Sequence, residues 1–157
     1  MDFSRRRLLT GSKPPARPPW AMPEAQFLDH CTACGDCIRA CPRGLLRHGG
    51  GRYPIIDLAR GGCDFCGECA ARCRPGALRP GRAASEAFAW RARPGTACLA
   101  HRAVECRVCG EACAAGAIRF ARPAGSPARP RVEPAACTGC GLCLASCPAA
   151  AIELEAA

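Results

Sequence analysis

Apolar residues fall along this chain in short runs broken by glycine, proline and arginine, and no run approaches the roughly 20 residues that a membrane-spanning helix needs. Leu45-Leu46-Arg47 and Tyr53-Pro54-Ile55-Ile56 flank the glycine-rich stretch His48-Gly49-Gly50-Gly51-Arg52, a pattern that predicts a hairpin. Ile118-Arg119-Phe120 and Arg131-Val132-Glu133 predict another around a longer Pro/Gly/Ser/Ala loop. Ile38 to Ala40 and Leu144 to Ser146 suit one helical turn each. One tail recurs: Pro42-Arg43-Gly44-Leu45-Leu46, Arg74-Pro75-Gly76-Ala77-Leu78, Ala114-Ala115-Gly116-Ala117-Ile118 and Pro148-Ala149-Ala150-Ala151-Ile152. Such self-similarity marks duplicated units grouped as two pairs. The expected architecture is small, loop-rich and α+β. Two modules cover about residues 24–80 and 95–157, residues 81–94, with Phe88 and Trp90, form a linker, and residues 1–23 form a flexible basic and proline-rich arm.

Each recurring tail follows a cysteine cluster. The clusters read Cys31-x2-Cys34-x2-Cys37-x3-Cys41, Cys63-x2-Cys66-x2-Cys69-x3-Cys73, Cys98-x7-Cys106-x2-Cys109-x3-Cys113 and Cys137-x2-Cys140-x2-Cys143-x3-Cys147, and they use all 16 cysteines. A thiolate at every third residue curls inward around one cuboidal iron-sulfur cluster, while the chain departs and lets the fourth cysteine serve a neighbouring cluster. Structural zinc would instead bring two separated C-x-x-C knuckles to one ion, and a disulfide scaffold would need an export signal. The modules thus read as bacterial ferredoxin-like units with two 4Fe-4S clusters each, four in all. With crossed fourth ligands, Cys31, Cys34 and Cys37 share a cluster with Cys73, and Cys63, Cys66 and Cys69 with Cys41. In the second module Cys98, Cys106 and Cys109 share one with Cys147, and Cys137, Cys140 and Cys143 with Cys113. The third motif is irregular: regular spacing puts its first ligand at Ala103, and Cys98 is the nearest cysteine. His101 is the alternative ligand there, and a site without Cys98 would hold a three-iron or labile cluster.

Aromatic content of 5% leaves little for a conventional core, so the clusters must act as one, and the metal-free chain is expected to be largely unfolded. The formal charge of +9 counts cysteines as neutral, whereas four oxidised clusters contribute roughly −8. Arg39, Arg43, Arg72, Arg74 and Arg107 then read as compensation for cluster charge or as solvated surface. Trp20, Trp90 and Tyr53 form no aromatic stacking row in the sequence, which disfavours nucleic acid. No catalytic constellation emerges, and the expectation is a protein without its own catalytic site.

Ser4-Arg5-Arg6-Arg7-Leu8-Leu9 looks like a twin-arginine export signal, but the proline-rich, basic Thr10 to Pro19 that follows cannot supply the apolar segment such a signal needs. The expected location is therefore the cytoplasm, with Arg5, Arg6, Arg7, Leu8 and Leu9 as a docking element. That opening, Arg17-Pro18-Pro19-Trp20-Ala21 ahead of the first motif, three regular motifs and the divergent Cys98-Leu99-Ala100 with Val104-Glu105-Cys106 together resemble the NapF family of ferredoxin-type proteins. The resemblance implies a cytoplasmic accessory protein that acts on the immature catalytic subunit of periplasmic nitrate reductase before export, with all 16 cysteines as ligands. A general soluble electron carrier between redox enzymes is the alternative expectation.

Overall fold

A computed structural model of the chain describes residues 15–79 and 83–157, so the Arg5 to Leu9 docking element lies outside the described residues. Four of the five α-helices among the described residues are short because each begins inside a cysteine motif and stops just short of its last cysteine. Helix α1, Glu24–His30, precedes the first motif and buries Phe27. Helices α2 (Asp36–Ala40), α3 (Glu68–Ala71), α4 (Val108–Glu111) and α5 (Leu142–Ser146) are single turns that each contain the third cysteine of a motif. Three of them start from a glycine at positive φ, Gly35 at 77°, Gly67 at 80° and Gly141 at 84°. The left-handed turn points the second and third cysteines of the motif toward one side, and only glycine enters it without steric cost. Helix α4 instead starts from Arg107 at φ −129°, a first sign that the third motif is built differently.

Among the described residues the strands form three two-stranded antiparallel sheets. Strands β1 (Leu46–His48) and β2 (Pro54–Ile56) pair around the glycine-rich turn. Strands β4 (Ile118–Ala121) and β5 (Arg129–Val132) form the second hairpin. Strand β3 (Trp90–Pro94) lies inside the segment expected as a linker, and it runs antiparallel to β6 (Ile152–Ala156) from Trp90↔Ala156 to Pro94↔Ile152. Trp90-Arg91-Ala92-Arg93 and Ile152-Glu153-Leu154-Glu155 each alternate apolar and charged residues, but nothing local says that two segments about 60 residues apart pair with each other. The first module carries the counterpart as a single bridge, Ala21↔Leu78.

Residues 15–23 depart from the expectation of a free arm. Trp20 and Met22 are buried, Trp20 N–H donates to the Ala87 carbonyl at 3.0 Å, and Met22 N–H to that of Ala77 at 3.0 Å. Arg17 grips Glu24 through two bonds of 2.9 and 2.7 Å with its guanidinium 4.6 Å above the Phe27 ring. The prolines do not keep this stretch off the surface: burial of Trp20 and Met22, about 1.5–3 kcal/mol each, acts together with these hydrogen bonds and the Arg17–Glu24 pair to hold it against the first module.

The modules pack directly on one another. Cys63 N–H donates to the Cys140 carbonyl at 2.8 Å, a hydrogen bond between the second and fourth motifs. A Cβ at Gly62 would run into Leu142, lying 2.8 Å from its backbone N, so only glycine fits between the two segments. Across the same boundary runs a row of rings, Trp20, Phe65, Phe88 and Trp90, with centroids 6.2, 5.9 and 4.5 Å apart, and Trp90 Nε1–H donates to the Gly139 carbonyl at 3.0 Å. Trp20 and Trp90 thus do belong to an aromatic row, assembled by the fold from distant positions. Trp20 and Phe88 are buried in it, so the row is a core and offers no platform for bases.

Candidate metal centres

Each motif turns its third cysteine into the interior: Cys37, Cys69, Cys109 and Cys143 are all buried on the one-turn helices. The chain then reverses after the fourth cysteine through the recurring tail. Gly44, Gly76 and Gly116 at positive φ donate their amides to the carbonyls of Cys41, Cys73 and Cys113, and Ala150, at φ 45°, does the same to Cys147. The reversal carries each fourth cysteine away from its own loop.

Four cavities result. Cys31, Cys34, Cys37 and Cys73 line one, and Cys41, Cys63, Cys66 and Cys69 line the next. In the second module Cys113, Cys137, Cys140 and Cys143 line the third, and Cys98, Cys106, Cys109 and Cys147 the fourth. Every sequence-predicted cysteine faces a cavity, and each cavity takes three from one motif and one from the paired motif. The atom-free space of the four, open solvent included, is about 320, 340, 340 and 330 Å³ in that order. Among the described residues no three His, Cys, Asp or Glu side chains converge on a point where one ion would sit, while four thiols ring each space. That donor set suits a polynuclear cluster, whose ligands stand apart around it, better than a tetrahedral zinc. All 16 cysteines are free thiols, so the cysteine density is no disulfide scaffold.

The electrostatics give the same grouping. Burial, followed by the charges of Cys73, Cys31 and Cys34, pushes the Cys37 thiol up to about 11. Burial pushes Cys63 to about 11 and Cys69 to about 12, and Cys143 to about 12 with Cys140, Cys137 and Cys113 adding to it. Cys109 rises to about 11 through burial and then the charges of Cys98, Cys106 and Cys147. Thiolates are unfavourable in these spaces unless a cation joins them, and iron supplies it. Backbone amides assist at three fourth cysteines: Leu78 N–H donates to Cys73 Sγ at 3.4 Å, Ala117 to Cys113 Sγ at 3.3 Å and Ala151 to Cys147 Sγ at 3.3 Å. Such donors favour the anionic sulfur of a bound thiolate.

At the irregular site Cys98 lines the cavity and is 9% exposed, whereas His101 sits exposed in the turn that follows. Gly95 N–H on the Ala151 carbonyl at 2.7 Å and Cys98 N–H on the Gly95 carbonyl at 3.1 Å hang the loop from the end of the β3–β6 ladder. No spacing rule predicts that tether. Cys34 and Cys66 are the exposed ligand candidates, so the first module meets solvent at its second cysteines.

Comparisons with known proteins bear on these sites. The 4Fe-4S dicluster domain matches residues 30–78 and again residues 102–151, the second span leaving Cys98 outside. The chain is 40% identical to the ferredoxin-type protein NapF of Escherichia coli (strain K12) over 159 aligned positions, 99% of this chain and 96% of the relative. It is 38% identical to the ferredoxin-type protein NapF of Haemophilus influenzae, over 88% of this chain and 78% of that one. A methylamine utilization ferredoxin-type protein, MauM of Methylorubrum extorquens, is 58% identical over 31 residues, 20% of this chain and 14% of the relative.

Proposed function

The chain belongs to the NapF family of ferredoxin-type proteins and carries 4Fe-4S clusters in two dicluster domains, and from that premise we propose that it is a cytoplasmic accessory protein for the catalytic subunit of periplasmic nitrate reductase. It engages that subunit before export. The observation that carries this reading is the near full-length likeness to NapF proteins, which spans the irregular third motif as well as the motifs that all such ferredoxins share.

In this reading Cys31, Cys34, Cys37 and Cys73 hold one cluster and Cys41, Cys63, Cys66 and Cys69 a second. Cys113, Cys137, Cys140 and Cys143 hold a third, and Cys98, Cys106, Cys109 and Cys147 the fourth. The clusters supply reversible one-electron chemistry. The protein's own residues set the terms of it: the amides of Leu78, Ala117 and Ala151 stabilise the anionic ligands, and Phe27, Phe65 and Ile118 shield the spaces between the loops. The four cysteine-lined spaces and the ferredoxin-type relatives support an electron-transfer and assembly role. Among the described residues no helix is long and apolar enough to cross a membrane.

The test is capture of the immature reductase subunit from cytoplasmic extract by the iron-loaded protein, full-length and lacking residues 1–14. The deletion stops at 14 because residues 15–23 are part of the first module's core. Tight, selective capture that weakens without the arm supports the accessory role. Weak, equal association with several redox enzymes would replace it with the general carrier.

A further inference from the structure

The three sheets treat their charges differently. In β3–β6 Arg93 sits opposite Glu153 and forms ion pairs with Glu153 at 2.9 Å and Glu155 at 2.7 Å, while Arg91 donates to the carbonyls of Phe88, Trp90, Ser85 and Pro134. In β1–β2 Arg47 pairs with Asp57 at 3.3 Å. In β4–β5 the register instead sets Arg119 directly opposite Arg131, with Arg129 next along the same face and opposite Ala121. All three are exposed, Arg122 is exposed at the end of β4, and none of the four joins an ion pair among the described residues. Glu133, just past β5, pairs with none of them either. Like charges facing each other across a strand pair oppose folding, so this face costs stability that the other two sheets avoid.

The opposite face of the same hairpin is part of the site architecture: Pro130 lines the Cys98 cavity and Ile118 the Cys113 cavity. Whatever docks on the arginines therefore stands one sheet's thickness from both centres of the second module.

We propose that the Arg119, Arg129, Arg131 face of the β4–β5 hairpin is a docking surface for an acidic segment of a partner protein. Guanidinium forks suit carboxylates in bidentate pairs, and three of them on a hairpin of two four-residue strands match a short run of Asp or Glu. A second copy of this chain is a poor occupant, because its sequence holds no two adjacent Asp or Glu residues that could meet the arginines as an acidic run. Nucleic acid is disfavoured because no aromatic ring lies on this face, Phe120 pointing inward with Ile118, and a membrane because no apolar side chain larger than the Ala121 methyl accompanies the arginines. The inference does not depend on the reductase reading and stands if the partner is another acidic protein.

The test uses iron-loaded full-length protein and three probes: a short polyglutamate, a 20-nucleotide single strand of DNA and phosphatidylcholine vesicles containing phosphatidylglycerol. R119Q/R131Q is expected to lose about ten-fold in polyglutamate affinity at low salt, and the control R52Q/R60Q, which removes two exposed charges from the first module, less than about two-fold. R119E alone is expected to weaken binding as much while raising the melting temperature, since it places a carboxylate across from Arg131; the visible spectrum stays that of the parent in all variants. Equal losses in R119Q/R131Q and R52Q/R60Q would overturn the proposal, reducing the effect to net charge. Tighter, face-dependent binding of the DNA or the vesicles than of polyglutamate would overturn it in favour of a polyphosphate or lipid ligand.

Discussion

The first module closes its ends with one backbone bridge, Ala21↔Leu78, and an aromatic core; the second closes the same place with the five-residue ladder of β3 and β6 and has little aromatic core of its own. Each solution matches its cysteine motifs. Where both motifs are regular, the tight loops organise themselves, and side-chain burial around Phe27 and Trp20 finishes the job. Where the Cys98 motif is stretched by five residues relative to the regular spacing, local geometry no longer delivers the first ligand, and the ladder does so by holding Gly95 and Cys98 against Ala151. An irregular motif is tolerated when long-range hydrogen bonds take over what spacing alone does elsewhere.

The sharpest way to break this comparison is at the ligands. Cys98→Ala is expected to cost the second module one cluster or convert it to a three-iron form, while the first module keeps its spectrum. Cys34→Ala is expected to damage the first module. Iron and acid-labile sulfide analysis with electron paramagnetic resonance reads both, and the parent should hold roughly sixteen irons if four cubanes are present. Unchanged iron in Cys98→Ala would mean that the ladder delivers a cysteine the site does not use.

Next in size is the boundary between modules. Gly62→Ala puts a methyl group against Leu142 and its backbone, and is expected to destabilise the loaded protein by about 3 kcal/mol. Because Cys63 follows directly and bonds to Cys140, the loss should reach both modules, so denaturant would bleach them together and earlier. Bleaching of the second module at an unchanged midpoint would show that the two fold independently.

The raised thiols predict a pH effect on the iron-free chain. Burial lifts Cys37, Cys63, Cys69, Cys109 and Cys143 from the ordinary 9.0 to about 11 or 12, which favours the buried neutral thiol. Their contribution is therefore full below pH 9 and disappears as pH rises through 11 to 12. Any order that survives chelation should persist near pH 7 and melt above pH 9 by far-ultraviolet circular dichroism, whereas the loaded protein, with iron on its thiolates, should hold across that window. Loss of order in the opposite direction would contradict the burial of these thiols.

The smallest effect is expected at the fourth tail. Ala150 occupies the left-handed turn that glycine fills at 44, 76 and 116, so Ala150→Gly should stabilise the second module by about 1 kcal/mol, visible as a higher midpoint in denaturant. No change would mean that the β3–β6 ladder absorbs the strain.

Cysteine spacing made the three regular motifs legible, because a ligand every third residue is a local property of a loop, whereas bringing each fourth cysteine to its paired motif is the work of the fold. Equally legible are the β1–β2 hairpin and the one-turn helices, whose signals are contained within a few residues. Tertiary structure alone decided how the strained motif is completed, why residues 15–23 and 88–94 are core and strand, how the distant rings of Trp20, Phe65, Phe88 and Trp90 meet, and that Arg119 faces Arg131. These depend on contacts between positions far apart in sequence, which local apolar patterning does not link because the buried surface is shared among single side chains of both modules and the cysteine-lined spaces take the place of a periodic hydrophobic core.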